Sequence, residues 1–208
     1  MIVLAVDAAN PDPALIAQAG AILAAGGVIA FPTDTVYGLA ADPRQPAAVD
    51  RLYEVKGRDR GVAIPLIAAS FEQAHAAALF GPAEQRLAEA FWPGPLSIIA
   101  PATVSIAPAL RGPGGTVAVR VPDHAVARAL AQALGFPITA TSANLSGQPA
   151  ATSGDALGAE LTQRLDAVID VGAAPGGPPS TMVELTREGP RLVRAGAIAW
   201  ERVLTFLE

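Results

Sequence analysis

Short apolar runs that alternate with segments of helical periodicity constrain the fold of this chain more than any other feature. Ile2–Val6 and Val28–Phe31 carry no charged side chain and end at Asp7 and Pro32, as buried strands do. Between these two runs, apolar residues recur at helical spacing over residues 15–23, and a glycine pair follows. Because strands that alternate with helices are typical of α/β and α+β domains, we predict a mixed β-sheet flanked by helices.

The same alternation continues to the end of the chain. Further strands are predicted over Val62–Ala68, Leu96–Ala100, Val117–Val121, Ile138–Thr141, Val168–Val171, Met182–Leu185 and Arg191–Val193. Further helices are predicted over Ala47–Val55, the alanines after Ser70, Pro82–Phe91, His124–Leu134 and Ile198–Leu207. The Pro- and Gly-rich residues 172–180 are interpreted as a loop, because the segment after them is too short to fold alone. Residues 1–208 are therefore predicted to form a single domain.

Composition excludes several functional classes. The 208 residues include no cysteine and two histidines, so thiolate-ligated metal sites, a cysteine nucleophile and a multi-histidine metal centre are not expected. A net charge of −5 argues against binding of nucleic acid through bulk electrostatics. Residues 13–33 carry no charge, but Gly26, Gly27 and Pro32 interrupt them, so no membrane span is predicted. We expect a soluble, cytoplasmic protein.

Lys56 is the only lysine among the 14 lysine and arginine residues. In the segment Lys56–Arg58, an ammonium and a guanidinium flank a glycine that lets the backbone approach a ligand, which suits a phosphate or a carboxylate. The alternative is an ordinary solvated helix end, where a cation interacts favourably with the helix dipole. Spacing alone leaves both interpretations open.

Two further segments place polar groups on or beside apolar strands. Thr33, Asp34 and Thr35 directly follow a strand, where open α/β sheets bind ligands; capping of the local backbone is the alternative. Arg120 lies within an apolar strand, and a buried guanidinium is costly unless it is paired. Arg120 therefore either forms a structural salt bridge or binds an anionic ligand.

Hydroxyl, amide and guanidinium groups also follow later strands. Ser142 and Asn144 lie in one loop, Ser180 follows the Pro- and Gly-rich segment, and Arg194 precedes Gly196. The sequence contains no P-loop, dinucleotide fingerprint or serine-hydrolase elbow. The candidate site is therefore one that binds and orients anions, without an evident nucleophile or histidine base.

Seven segments in order resemble the YrdC-type threonylcarbamoyl-AMP synthase family in its short, single-domain form. They are Pro32–Leu39, Lys56–Arg58, Phe91–Ser97, Val117–His124, Ser142–Gly147, Pro179–Thr181 and Val193–Gly196. The resemblance implies a single α/β domain with a twisted mixed sheet around an open cavity. It also implies a nucleotidyltransferase that converts L-threonine, bicarbonate and ATP, with Mg²⁺ accompanying ATP, into threonylcarbamoyl-AMP and pyrophosphate. A separate threonylcarbamoyl transferase complex would then pass the group to tRNA, in the t6A modification at position 37.

The resemblance also implies roles for individual residues. Thr35, Arg120 and Ser180 would bind threonine, and no protein metal ligand is implied. ATP would be bound by Arg58, Thr116, Ser142, Asn144 and Arg194. Lys56 and Arg58 would be catalytic, with Lys56 and Asn144 lining the reacting phosphate or carbamate.

The chain departs from the family at a few positions, which keeps other functions open. Many relatives have Lys or Asn where this chain has Val62, so one polar contact to the nucleotide is missing or is replaced by Arg60; Ser97 replaces a common Thr. The alternatives are a YciO-like paralogue with a nucleotide- or RNA-binding role and weak synthase activity, a pure RNA-binding module, and a carbamoyl-adenylate step like that of hydrogenase-maturation proteins. The acidic net charge argues against direct binding of tRNA beyond a weak contact.

Overall fold

Two mixed β-sheets with helices packed on them form the part of the chain that the computed structural model describes, residues 1–59 and 62–207. The strands are β1 (Ile2–Ala5), β2 (Ile29–Phe31), β3 (Gly38–Ala40), β4 (Leu66–Ile67), β5 (Leu96–Pro101), β6 (Thr116–Arg120), β7 (Ile138–Thr139), β8 (Thr141–Ser142), β9 (Ala167–Asp170), β10 (Thr181–Thr186) and β11 (Gly189–Arg194). The helices are α1 (Pro13–Ala24), α2 (Pro46–Lys56), α3 (Phe71–Ala74), α4 (Pro82–Phe91), α5 (Ala125–Leu134), α6 (Ala159–Thr162) and α7 (Trp200–Leu207). Two 3₁₀ turns span Pro108–Leu110 and Pro113–Gly115.

The two sheets divide the strands between them. The first sheet has the order β1-β9-β2-β3-β8, with β9 parallel to β1 and β2 and the other pairs antiparallel. The second has the order β11-β10-β5-β6-β4-β7, in which only the β10–β5 and β4–β6 pairs are parallel. The predicted α/β class with mixed pairing is confirmed, with two sheets where the sequence indicated one.

Helix α1 packs closely on helix α5, and a glycine permits the contact. Ile16, Ala19 and Leu23 on the predicted face of α1 are buried. A Cβ at Gly20 would lie 2.8 Å from the Cβ of Ala133, a distance that real side chains do not reach. Both helices bury apolar residues at helical spacing, as their hydrophobic patterns predict.

The predicted strand Ile138–Thr141 is in fact the crossing point between the two sheets. Residues of β7 pair with β4 in the second sheet, whereas residues of β8 pair with β3 in the first. Between them, the amide of Ala140 donates to the carbonyl of Pro65 at 2.8 Å. One apolar run in the sequence therefore serves both sheets, and the polar groups after it come to lie where the sheets meet.

Two other predicted elements are shorter in the structure. The strand expected over Val62–Ala68 is reduced to β4, and Val62 is 43% exposed. The helix after Ser70 ends at Ala74, although the Ser70 hydroxyl accepts from the Gln73 amide at 3.2 Å as the capping spacing predicts. Strand β3 was not predicted, because its three residues lie inside the polar motif that follows β2. In the described part of the chain, no helix is both long and apolar enough to cross a membrane.

Candidate active site

A cavity of about 660 Å³ opens between the two sheets. The first sheet contributes the segment between β2 and β3 together with β8, and the second sheet contributes one face of its central strands. The polar side chains in the wall are those of Thr33, Thr35, Tyr37, Arg58, Ser97, Arg120, Thr141, Ser142, Ser180 and Arg194. A cavity of this size lies in the range of small-molecule sites.

The floor of the cavity is a row of residues that crosses the second sheet. Met182 is paired with Arg194 of β11 on one side and with Ser97 of β5 on the other. Since Ile98 is paired with Val119, continuing that register by one residue places Ser97 opposite Arg120. Side chains in register on neighbouring strands share a face of the sheet. All four members of the row accordingly line the cavity.

Arg120 is anchored to Asp34 through a single nitrogen. Its Nη1 donates to both carboxylate oxygens of Asp34, at 2.8 Å and 2.7 Å, and the two side chains are 9% and 15% exposed. Among the described residues, no hydrogen bond reaches Nε or Nη2 of this guanidinium. Of the two interpretations left open for Arg120, the ion pair is present, and the remaining donors can still bind an anion.

Ser180 links β5 to β11 through its hydroxyl group. The Ser180 Oγ lies 2.8 Å from the Ser97 Oγ and accepts from Nη2 of Arg194 at 2.8 Å. The Nε of Arg194 donates to the Ser180 carbonyl at 3.0 Å. The pKa of Arg194 is lowered by burial and, to a smaller extent, by the charge of Arg120. The two cations are therefore close enough to favour an anion between them.

Thr35 presents an acceptor to the cavity. The hydroxyl of Thr33 donates its one hydrogen to the Val36 carbonyl at 2.6 Å. In the contact of 3.1 Å between the Thr33 and Thr35 hydroxyls, Thr35 is therefore the donor. The Thr35 Oγ1 is then left with lone pairs. This arrangement suits an ammonium or a hydroxyl group of a ligand better than a carboxylate.

Tyr37 fixes the loop that closes one side of the cavity. Its hydroxyl lies 2.8 Å from the Gly172 carbonyl and 3.1 Å from Oδ1 of Asp170, and it accepts from the Val171 amide at 3.1 Å. Burial raises the pKa of Tyr37 to about 12, so the group stays protonated at physiological pH. The Pro- and Gly-rich segment, which the sequence marked as a loop, is thereby held beside the cavity.

Lys56 lies beneath the cavity and not in its wall. The residue is 4% exposed. Its Nζ donates to the carbonyl of Ser142 at 2.6 Å and to Oδ1 of Asn144 at 3.0 Å. It also lies 3.2 Å from the Ser142 hydroxyl and 3.3 Å from the Asn144 carbonyl. Burial and the charge of Arg58 lower its pKa to about 8. In this geometry the ammonium organises the loop that follows β8, and the catalytic role that the resemblance implies for Lys56 stays a prediction.

Every hydrogen-bonding position of the Asn144 side chain is occupied by groups of that loop or by Lys56. Its Oδ1 accepts from Lys56 and from the Ser142 hydroxyl, and its Nδ2 donates to the carbonyls of Leu145 and Gln148 at 2.8 Å and 2.7 Å. Asn144 therefore positions the loop, while the neighbouring Ser142 lines the cavity. No donor or acceptor of the Asn144 side chain is left for a ligand in this arrangement.

Thr116 lies apart from the other predicted site residues. It begins β6, whereas Arg120 ends the strand, so about 13 Å of extended backbone separate the two residues. The Thr116 hydroxyl donates to the Pro113 carbonyl at 3.1 Å, outside the cavity wall. Arg60, the suggested substitute for a polar residue at position 62, lies outside the described residues.

Neither histidine lies in the cavity wall. His75 packs edge-on against the rings of Phe71 and Phe80. His124 occupies the N-cap position of α5 but makes no capping hydrogen bond, and its buried Nδ1 has no partner among the described residues. Burial lowers the pKa of His124, which favours the neutral ring.

Ser97 is the site residue that sequence reasoning missed. It was noted only as a substitution at the end of a motif, yet it is 2% exposed and lines the cavity. A hydroxyl in a run of otherwise apolar strand residues (Leu96, Ile98 and Ile99) was the available signal, because a buried hydroxyl requires a partner.

The donors in the wall do not form a metal site. No cluster of three acidic, histidine or cysteine side chains that could hold a metal occurs within residues 1–59 and 62–207. Asp34, whose carboxylate contacts a residue of the floor, already pairs with Arg120. Guanidinium groups repel divalent cations, and hydroxyl groups bind them only weakly.

These features together define a class of α/β proteins in which a cavity lined by arginine and hydroxyl groups lies between two mixed sheets. The family model for Sua5, YciO and YrdC proteins, described as "Telomere recombination", matches residues 21–196. The chain belongs to this family.

Curated relatives of the chain carry the name threonylcarbamoyl-AMP synthase. The protein from Bacillus subtilis is 39% identical over 90% of this chain and 55% of its own length, and that from Pyrococcus abyssi is 38% identical over 86% and 53%. The chain therefore spans about half the length of these relatives. A Mycobacterium leprae protein named as a putative threonylcarbamoyl-AMP synthase is 37% identical over 97% of this chain and 92% of its own length.

Two solved structures show the same fold. The structure of P. abyssi Sua5 complexed with L-threonine matches 99% of this chain and 61% of that chain with a TM-score of 0.92 and 35% identity. The structure of Escherichia coli YciO matches 96% of this chain and 98% of that chain with a TM-score of 0.84 and 28% identity. The similarity to Sua5 extends along nearly all of this chain.

Proposed function

We propose that this protein is a threonylcarbamoyl-AMP synthase, which makes threonylcarbamoyl-AMP and pyrophosphate from L-threonine, bicarbonate and ATP. The observation that carries the proposal is the row of Arg120, Ser97 and Arg194 across one cavity floor, with an acceptor hydroxyl of Thr35 facing it. The row supplies two separate cations in one cavity, as a reaction between two anions requires. The names of the relatives and the L-threonine in the P. abyssi structure agree with this assignment.

L-Threonine would bind at the Arg120 end of the row. Its carboxylate would accept from Nε and Nη2 of Arg120, the donors that Asp34 does not use. The Thr35 Oγ1 would accept a hydrogen bond from the amino or hydroxyl group of the substrate. Ser180 would contribute through its hydroxyl, in agreement with the role that the resemblance implies for it.

ATP would occupy the opposite end of the cavity. Arg194 and Arg58, which both line the wall, would neutralise phosphate charge, and the Ser142 hydroxyl would contact the nucleotide. Mg²⁺ would enter as part of the nucleotide complex, held by phosphate oxygens, and it would withdraw charge from the leaving pyrophosphate. Lys56 and Asn144 would act by holding the Ser142 loop in place.

Positioning and charge neutralisation would supply most of the catalysis. The threonine amine attacks the bicarbonate carbon, and loss of water leaves a carbamate. A carbamate oxygen then attacks the α-phosphorus of ATP while the bond to pyrophosphate breaks. Both steps bring anions together, so cations fixed in advance lower the barrier without a covalent intermediate.

Pyrophosphate release by the purified protein tests the proposal. With Mg·ATP present, release should require both L-threonine and bicarbonate, and ¹⁴C from bicarbonate should appear in a nucleotide product. Omission of either substrate is the control. A folded protein that binds ATP but releases no pyrophosphate would contradict the proposal and favour the YciO-like alternative.

Downstream partners follow from the chemistry of the product. A mixed anhydride of a carbamate and AMP hydrolyses in water, so a threonylcarbamoyl transferase complex must collect it soon after release. The net charge of −5 argues for transfer to tRNA by that complex and against strong direct tRNA binding by this chain.

A further inference from the structure

Ser97 lies between the two arginines of the cavity floor. Met182 separates it from Arg194, and Arg120 is its neighbour on the other side in the register of the sheet. With a strand spacing of about 4.8 Å, the Cα atoms of the two arginines are about 14 Å apart across three spacings. A gap of this width leaves room for one small anion between two ligands that the arginines hold.

Among the described residues, the hydroxyls of Ser97 and Ser180 together leave one hydrogen without an acceptor. Each group carries a single hydrogen, and one of the two lies in their mutual bond of 2.8 Å. Arg194 donates into the Ser180 Oγ and accepts nothing. One O–H donor therefore remains at a cavity wall where both serines are buried, at 2% and 7% exposure.

The guanidinium of Arg194 sets the direction of this chain of hydrogen bonds. In the order Arg194 to Ser180 to Ser97, Ser180 accepts one bond and donates one, and Ser97 accepts one, so the first bond polarises the second. The unused hydrogen is then on Ser97, at the point nearest Arg120. In the reverse order Ser180 would accept two bonds, Ser97 would accept none from any described residue, and this polarisation along the chain of bonds would be lost.

We infer that Ser97 is the terminal donor of a small-anion subsite, which binds bicarbonate and then the carbamate formed from it. The inference rests on the proposed function, because it places the one-carbon anion between an Arg120-bound carboxylate and an Arg194-bound phosphate. That order along the row is the order in which the three reactants must be joined. A planar anion with one carbon fits a gap flanked by a hydroxyl and two guanidinium groups.

Kinetics of Ser97→Ala and Ser97→Thr test the role of the hydroxyl. Loss of one hydrogen bond to a charged group should raise the KM for bicarbonate about tenfold in Ser97→Ala, with the KM values for threonine and ATP changed less than about twofold. Ser97→Thr keeps the hydroxyl and should stay near wild type. An unchanged bicarbonate KM in Ser97→Ala, or an equal rise in all three KM values, would overturn the inference.

Binding of bicarbonate without turnover separates this inference from the proposed function. The melting temperature of each protein is measured in sodium bicarbonate and in sodium chloride at equal pH and ionic strength, without ATP or threonine. Bicarbonate should stabilise the wild type and Ser97→Thr, and its effect should fall by at least half in Ser97→Ala. If the wild type shows no bicarbonate-dependent pyrophosphate release, the proposed function fails. Independently of that result, an equal shift of the melting temperature by bicarbonate in wild type and Ser97→Ala would overturn the inferred subsite.

Discussion

Asp34 holds Arg120 from one side only: both oxygens of its carboxylate lie within 2.8 Å of the same guanidinium nitrogen, Nη1. The ion pair offsets the cost of placing a cation in an apolar strand. It also fixes the plane of the guanidinium, so that the edge carrying Nε and Nη2 is oriented before a ligand arrives. Asp34 thus positions the group that we expect to bind the threonine carboxylate.

Asp34→Asn should weaken threonine binding. The amide keeps the shape of the side chain but removes the charge that orients Arg120, so we expect the KM for threonine to rise about tenfold. The KM for ATP should change less than about twofold, because Arg194 and Arg58 are not paired with Asp34. Initial rates of pyrophosphate release measure both constants. Glu160→Gln, which breaks the exposed pair with Arg164, is the matched control and should have no effect.

Arg58→Ala should abolish adenylate formation and leave the protein folded. The Arg58 side chain lines the cavity, while the end of α2 is held by backbone bonds from the Gly57 and Arg58 amides. Truncation therefore removes a phosphate-binding cation without opening the helix, and the free energy of unfolding should change by less than about 0.5 kcal/mol. The exposed Arg86 on α4 provides the control, Arg86→Ala, which should keep full activity. Turnover near wild type in Arg58→Ala would contradict its assigned role.

The buried Lys56 should make stability depend on pH. Burial, reinforced by Arg58, lowers its pKa from the usual 10.5 to about 8. Between these values the unfolded chain binds more protons than the folded chain, so the free energy of unfolding gains about 1.4 kcal/mol per pH unit from this group.

Lys56→Met removes that titration. In urea unfolding at pH 7, 8.5 and 9.5, the difference in free energy of unfolding between wild type and Lys56→Met should be level below pH 8 and rise above it. Lys56→Gln gives the same comparison with a polar side chain. A difference that stays constant from pH 7 to 9.5 would show that the ammonium keeps its ordinary pKa.

Tyr37→Phe should destabilise the fold, because the Tyr37 hydroxyl holds the loop beside the cavity. The hydroxyl accepts from the half-buried Val171 amide and lies 2.8 Å from the Gly172 carbonyl, and phenylalanine removes this partner from both groups. We expect a loss of about 1–3 kcal/mol in the free energy of unfolding. Hydrogen exchange at the Val171 amide should accelerate in the variant. Unchanged exchange there would show that this hydrogen bond does not protect the loop.

Gly196→Ala should displace the backbone that carries Ser180. A Cβ at Gly196 would lie 2.2 Å from the Pro179 carbonyl oxygen and 2.4 Å from the Thr181 nitrogen, so backbone must move to admit it. We expect a loss of at least about 1–3 kcal/mol in stability together with loss of activity. Gly158→Ala is the matched control, because a Cβ there meets no atom within 4 Å and its φ is −59°. Equal stability of the two variants would contradict the close approach.

Hydrophobic patterning predicted most of the helices and strands correctly, since α1, α2, α4, α5 and the longer strands follow local periodicity. Two of its failures, at Ile138–Thr141 and at Val62–Ala68, concern strands whose pairing partners are distant in sequence. The run Ile138–Thr141 reads as one strand, but its two halves pair with different sheets, and pairing partners distant in sequence leave no trace in local periodicity. The reduction of Val62–Ala68 to β4 has the same cause.

The chemical character of the site was determined by the sequence itself. The sequence contains no cysteine and has arginine and hydroxyl residues at strand ends, which already indicated a site that binds anions. The ordered motifs indicated the family. Residue types and local spacing carry that information, because they define which groups are available.

Only the tertiary structure decided which of those groups face the cavity. It brought Ser97 into the floor, left Thr116 at the far end of β6, and turned the ammonium of Lys56 to the loop after β8. The physical reason is that strand register and burial set the direction and the partners of each side chain. Both depend on contacts between residues far apart in sequence, such as Lys56 with Asn144 and Ser97 with Ser180.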